Sequence, residues 1–158
     1  MPEPSYLTRP QRHQGGAVAL EFLMLFPLVV AMLYAAATYG VLFFSKYRMQ
    51  NAADQAVASV LRLDRNQYPE ADLGTAMINR SSAALGSLLA ELPTALTDGL
   101  DDSVTLCALT QSGTVDLLKC TVRVNNEEHP IVPRMSFGFL GTFPPMPATI
   151  TVESVLAI

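Results

Sequence analysis

From Phe22 to Phe44 the chain runs for 23 residues without a charged side chain. At ~1.5 Å of helical rise per residue this stretch covers ~34 Å, enough to cross a ~30 Å hydrocarbon core with a little tilt. The pattern predicts a single transmembrane helix, because no later stretch approaches ~18 apolar residues. Pro27 within it predicts a kink and not a break, since membrane helices tolerate proline. Beyond Ser45 the apolar run becomes amphipathic. Met49, Ala53, Ala56, Val57, Val60 and Leu61 recur near three-to-four spacing, while Arg48, Asp54, Gln55 and Ser59 turn outward. One bipartite helix is expected from Ala17 to about Asp64, on the order of 70 Å long.

A second amphipathic helix is predicted from about Glu70 to Leu92, burying Leu73, Met77, Ala84, Leu85, Leu88, Leu89 and Leu92 before Pro93 ends it. Asp98-Gly99-Leu100-Asp101-Asp102 reads as a turn opening onto strands, where the period drops to two. A two-residue turn at Gly113-Thr114 sets Ser112 opposite Val115, and walking back brings Cys107 opposite Cys120. The same register pairs Leu109 with Leu118 and Thr105 with Val122 on one face, and Ala108 with Lys119 and Val104 with Arg123 on the more polar face. Glycine at the first turn position is what a type II′ hairpin requires.

Asn125 to Pro133 is polar and should be loop, Met135 to Leu140 is a weak strand, and Phe143-Pro144-Pro145-Met146-Pro147 cannot be an interior strand. Ala148 to Val155 alternates cleanly enough to close a sheet of three or four antiparallel strands. Helices first and strands afterwards argue an α+β fold. Met1 to Gly16, polar and punctuated by Pro2, Pro4, Pro10 and the Gly15-Gly16 pair, should be a disordered leader. The expected organisation is therefore a leader at residues 1–16, a membrane half-helix at 17–45 and an α+β domain at 46–158.

The chain has 158 residues and a formal charge of -4, with 10 basic against 14 acidic side chains. That balance excludes wrapping nucleic acid, whose phosphates demand a basic patch. His13 and His129 fall in the leader and a loop, and no metal-ligand spacing, nucleophile motif or phosphate-binding glycine loop can be written. No enzyme, cofactor, metal or small-molecule substrate is expected. Asp98, Asp101 and Asp102 lack the EF-hand spacing and read as a solvated turn. The sequon Asn79-Arg80-Ser81 falls inside a predicted helix and carries little weight.

Charge leaves the orientation of the membrane helix open, because Arg9 and Arg12 precede it and Lys46 and Arg48 follow. Those same arginines, with Ala35-Ala36-Ala37 as a cleavage site, would also suit a secretory signal, but the apolar stretch is longer than the usual ~7–15 residues. The cysteines decide between orientations. A cross-strand Cys107–Cys120 disulfide needs an oxidising compartment and puts the C-terminal domain outside the cytoplasm; the alternative is two separate buried thiols.

One charge interrupts the apolar surroundings. Glu21 lies in Gly15-Gly16-Ala17-Val18-Ala19-Leu20-Glu21-Phe22, a polar leader ending in glycine, a small residue, an apolar stretch, then an acid and an aromatic. With Leu25-Phe26-Pro27-Leu28 and the exit Tyr47-Arg48-Met49-Gln50-Asn51-Ala52-Ala53-Asp54-Gln55-Ala56, this segment resembles the processing site of type IV pilin-like proteins, specifically the TadE-like pseudopilins of tight-adherence (Tad/Flp) pilus systems. The resemblance covers roughly Gly15 to Ala58.

It implies that a membrane-embedded aspartyl prepilin peptidase cuts between Gly16 and Ala17 on the cytoplasmic face of a bacterial inner membrane. Glu21 becomes the fifth mature residue and meets the freed amine of a neighbouring subunit's Ala17 during assembly. Other pilin and pseudopilin subunits, an inner-membrane assembly platform and membrane lipid are the implied partners, and surface attachment is the implied outcome. Physics supports a partner for Glu21, since an unpaired carboxylate in hydrocarbon costs several kcal/mol and a nearby ammonium removes much of that. The alternative is a glutamate snorkelling to an interface a turn away. Gly16 permits the extended backbone that a peptidase reads.

Ala17 is not the bulky residue typical of type IV pilins, and Phe22 replaces the tyrosine common in major Flp pilins. With the large C-terminal domain, this points to a minor pseudopilin. Two other readings stay open: an uncleaved single-pass anchor for a periplasmic binding domain, and a minor subunit of a type II secretion or type IVa pilus system.

Overall fold

The computed structural model describes residues 15–133, 135–136 and 141–158, with backbone alone for residues 15–17 and Thr142. Of the leader expected at residues 1–16, residues 1–14 fall outside the described residues, as does the second part of the Met135–Leu140 strand, while Gly15 and Gly16 are helical. Helix α1 spans Gly15–Ala58 and continues through Pro27. It starts two residues before the expected Ala17. The chain divides into two compact units, Met1–Ala36 and Ala37–Ile158.

In the first unit apolar side chains are exposed on every side of α1: Phe22 is 66 %, Leu23 74 % and Met24 73 % exposed. A helix apolar all round and covered by nothing is built for apolar surroundings. Among the described residues this is the helix long and apolar enough to cross a membrane.

The second unit begins with the remainder of α1. Its buried stripe runs Thr38, Leu42, Ser45, Met49, Ala52, Ala53, Ala56 and Val57, at the three-and-four spacing of one helical face. The stripe therefore starts at Thr38, upstream of the composition change after Ser45. Met49, Ala53, Ala56, Val57 and Val60 are buried as expected, but Leu61 is 64 % exposed. The cause is a change of pitch. The α-helix stops at Ala58, and Ser59–Arg62 tightens into a 3₁₀ turn, whose three-residue period carries the buried face from Val60 to half-buried Leu63 and past Leu61.

Helix α2, Glu70–Ala90, starts after Pro69, whose carbonyl accepts from the amides of Asp72 (2.9 Å) and Leu73 (3.0 Å). Glu70 and Asp72 sit in its first turn, where the helix dipole favours acids. Met77, Leu85 and Leu89 are buried as expected, joined by Ser81, whose hydroxyl donates to the Ile78 carbonyl at 3.0 Å. A four-residue helix α3, Thr94–Thr97, follows Pro93.

Among the described residues, five strands complete the α+β fold: β1 Leu106–Ser112, β2 Val115–Asn125, β3 Met135–Ser136, β4 Thr142–Phe143 and β5 Thr149–Ala157. Strands β1, β2 and β5 form an antiparallel sheet in the order β1-β2-β5, and β3 pairs separately with β4. The β1–β2 register is the expected one, with Ser112↔Val115, Leu109↔Leu118 and Cys107↔Cys120. Gly113 takes φ +65° and Thr114 after it does not have positive φ, as a type II′ turn demands.

The ladder stops at Leu106↔Thr121, so the expected pairs Thr105–Val122 and Val104–Arg123 do not form. The Asp101 carbonyl instead draws the amides of Val104 (3.1 Å) and Thr105 (2.8 Å) into a turn. The vacated edge of β2 is taken by Asp101, whose amide donates to the Arg123 carbonyl at 2.9 Å, and by the Thr105 hydroxyl, which accepts from the Arg123 amide at 3.2 Å. This close approach needs Gly99, where an added Cβ would lie 3.0 Å from Val124 Cγ1 and 3.2 Å from the Asn125 carbonyl oxygen.

One face of the sheet carries the core. Cys120, Val122 and Val124 of β2 and Ile150 and Val152 of β5 pack in a single cluster with the α1 stripe and with Leu85, Leu89 and Leu96. Alanine at 52, 53 and 56 keeps the α1 surface thin where these elements meet. Leu118, Val60 and Met77 form a second cluster.

Candidate processing and assembly site

The Gly16–Ala17 peptide lies in the first turn of α1. The first four amides of a helix have no partner within it, each glycine in a helix costs about 1 kcal/mol relative to alanine, and no acid lies in this turn to favour the dipole. Gly15 and Gly16 thus occupy a helix end that opens at little cost.

Glu21 follows little more than one turn later and is exposed, amid Val18, Leu20, Leu25 and Leu28, all more than half exposed. Among the described residues no cation lies within ion-pair distance of it. Phe22, beside it, meets Phe26 one turn on, with ring centroids 5.6 Å apart and planes tilted by 33°. The arrangement is a lone carboxylate and an aromatic pair on a bare apolar helix, chemically suited to receive one cation from outside the chain.

Cys107 and Cys120 form a disulfide between directly opposed positions of β1 and β2, with Cα atoms 4.0 Å apart. Both cysteines are buried, at 5 % and 0 % exposure, so the bond is part of the core and the alternative of two separate thiols does not hold. Among the described residues no group of three or more His, Cys, Asp or Glu is placed to hold a metal ion.

Several anchoring residues escaped the sequence reading. Tyr39 donates through its hydroxyl to the Pro145 carbonyl at 2.9 Å, and Gln50 Nε2 donates to the Glu153 carbonyl at 2.9 Å, tying α1 to β5 and the loop before it. Asn126 is fully buried; its Nδ2 donates to the Pro147 carbonyl (2.9 Å), and its Oδ1 accepts from the Ile131 amide (3.1 Å). Its own amide donates to the Ala148 carbonyl at 2.8 Å. A signal for the α1 contacts existed: Thr38 and Ser45 continue the Leu42–Met49 spacing, and counting them as core positions would have revealed the stripe.

Residues 16–58 match the family model of TadE-like proteins. The match starts at Gly16 and stops at Ala58, where α1 ends, and agrees with the resemblance carried by the sequence motifs. No curated protein and no solved structure matches the chain.

Proposed function

We propose that the chain is a minor pseudopilin of a Tad/Flp pilus, cut by a prepilin peptidase between Gly16 and Ala17 and assembled through α1. The observation that carries this reading is the coincidence of the TadE-like match with α1: a glycine at its start, a bare apolar helix bearing one carboxylate, and a buried stripe at its end. In the proposed mechanism the leader stays on the cytoplasmic side of a bacterial inner membrane. The peptidase opens the first turn of α1, and the new amine of Ala17 becomes the cation that meets Glu21 of a neighbouring subunit. A charge-assisted pair of this kind fixes the axial register of packed helices, as a buried polar pair does in coiled coils.

Residues 17–36 rise about 30 Å, the thickness of the hydrocarbon core. This reading takes the far membrane boundary near Ala36–Ala37, earlier than composition alone suggests, on the support of Thr38, Leu42 and Ser45 being buried within the second unit. The buried disulfide supports a periplasmic location for that unit, since such bonds persist in oxidising compartments.

The mature N-terminus tests the reading. Intact-mass or Edman analysis of protein from the cell envelope is expected to show Ala17 first, with processing blocked in Gly16→Leu or without the peptidase. A chain still beginning at Met1 would establish instead the uncleaved single-pass anchor, the reading that the helical backbone at Gly16 favours.

A further inference from the structure

Strand β5 is an edge of its sheet, paired on one side with β2 from Thr149 to Ala157 without a break in register. The amide of Asn126 donates to the Ala148 carbonyl, so even-numbered positions here turn their backbone groups to β2 and odd-numbered ones turn theirs outward. Helix α1 reaches the outer edge and the loop before it at two points. The Tyr39 hydroxyl donates to the Pro145 carbonyl at 2.9 Å, and Gln50 Nε2 donates to the Glu153 carbonyl at 2.9 Å. Between these two ties the edge is open. Thr149 and Thr151 are exposed, and among the described residues their outward amides and carbonyls have no hydrogen-bond partner.

A groove of about 450 Å³ lies along this opening, between Leu42, Phe43 and Lys46 of α1 and Thr149, Ile150 and Thr151 of β5. All of it belongs to the second unit. Natural edge strands are guarded by lysine, proline, bulges or short length. Over its nine residues β5 has none of these, and its one charge, Glu153, is held by Lys119 at 2.8 Å. Lys46 is the opposite case. Among the described residues the one ion pair is Lys119–Glu153, which leaves Lys46 without a carboxylate beside an apolar groove. Backbone donors and acceptors repeating every ~6.7 Å match the backbone of another extended strand, and the lone ammonium calls for an acid on it.

We propose that the groove receives an extended segment of a partner polypeptide, added antiparallel to β5 as a fourth strand, with an apolar residue opposite Ile150 and an aspartate or glutamate two positions away. Strand addition of this kind takes its affinity from main-chain bonds and its specificity from pockets for alternate side chains. The guest residues opposite Thr149 and Thr151 exchange backbone hydrogen bonds with them. The residue between turns its side chain into the groove against Leu42 and Phe43, and the acid, on the same face ~6.7 Å away, meets Lys46. Binding requires neither cleavage at Gly16 nor a membrane.

The pentapeptide acetyl-Thr-Val-Thr-Glu-Thr-amide carries this pattern and is the probe, titrated into the isotope-labelled full chain in zwitterionic detergent micelles. The amide resonances of Thr149 and Thr151 are expected to move with a common Kd of about 0.1 mM. N-methylation of the two threonines that flank valine, whose amides face β5, should weaken binding about tenfold. N-methylation of the valine, whose amide faces away, should change Kd by less than about twofold. Lys46→Gln should weaken binding about threefold, and should have no effect on the peptide with glutamine in place of glutamate.

Unmoved Thr149 and Thr151 amides at about 2 mM peptide overturn the strand site. Shifts confined to Leu42, Phe43 and Lys46 overturn it too, because the groove then takes an apolar molecule and not a strand. Binding that survives methylation of both threonines overturns the ladder, and equal Kd values for the glutamate and glutamine peptides overturn the ion pair. Slow exchange of both amides without peptide, in a chain that sediments as a dimer, puts a second copy on the edge and overturns the partner assignment. Thr151→Pro removes one outward donor and no bond to β2, so it should abolish binding. The methylated peptides probe the same bond without altering the chain.

Discussion

Glu21 is the one charged side chain between Arg12 and Lys46, and its position was legible because a single acid in an apolar run stands out in one dimension. Its proposed pairing with the amine of Ala17 predicts that Glu21→Gln leaves insertion and cleavage unchanged while lowering the fraction of subunit crosslinked to other pilins about tenfold, the weak end of a charge-assisted hydrogen bond. An unchanged crosslinked fraction would remove the pairing. Asn126 shows the opposite case. It reads as one more polar loop residue, yet it is fully buried because Pro147 and Ile131 complete its hydrogen bonds. Nothing in the spacing of Asn126 announces partners 5 and 21 positions away, so its role is invisible until the loop has closed.

At the scale of elements, periodic patterns reported themselves well. The hairpin register followed from its turn because strands alternate strictly and a two-residue connection leaves no slack. Errors gathered where the period changed: Leu61 left the buried face when α1 tightened into a 3₁₀ turn, and the hairpin ended early where Asp101 captured the amides of Val104 and Thr105. The alanines of α1 make a quantitative contrast. Ala53 is 0 % exposed, so Ala53→Leu forces a larger side chain into a filled core and should destabilise the second unit by about 1–3 kcal/mol. Leu61→Ala, at an exposed position, should change stability by no more than about 0.5 kcal/mol. Denaturant midpoints of the full chain in detergent, followed by near-ultraviolet circular dichroism, measure both; equal effects would mean that the α1 stripe is not the core.

At the scale of the whole molecule, one helix serves two compact units, and the disulfide closes a short loop in the second. A separation of 13 residues corresponds to about 3 kcal/mol of unfolded-state entropy. The double substitution of Cys107 and Cys120 by alanine should lower the stability of that unit by this amount, and non-reducing mass spectrometry of envelope protein should find the two cysteines joined. A midpoint unmoved by the double substitution would show that the bond is idle. The sequence by itself determined what is local or periodic: the membrane-length apolar run, the acid within it, the TadE-like motif, the second helix and the hairpin that faces Cys107 with Cys120. Tertiary structure alone decided where α1 passes from one unit to the other. Residues 37–45 are as free of charge as those just before them, and the absence of charge cannot tell a surface that meets apolar surroundings from one that meets a sheet. The difference lies in Tyr39, Leu42 and Ser45 finding partners or cover in the second unit, and such partners exist only once strands far along the chain have folded back against the helix.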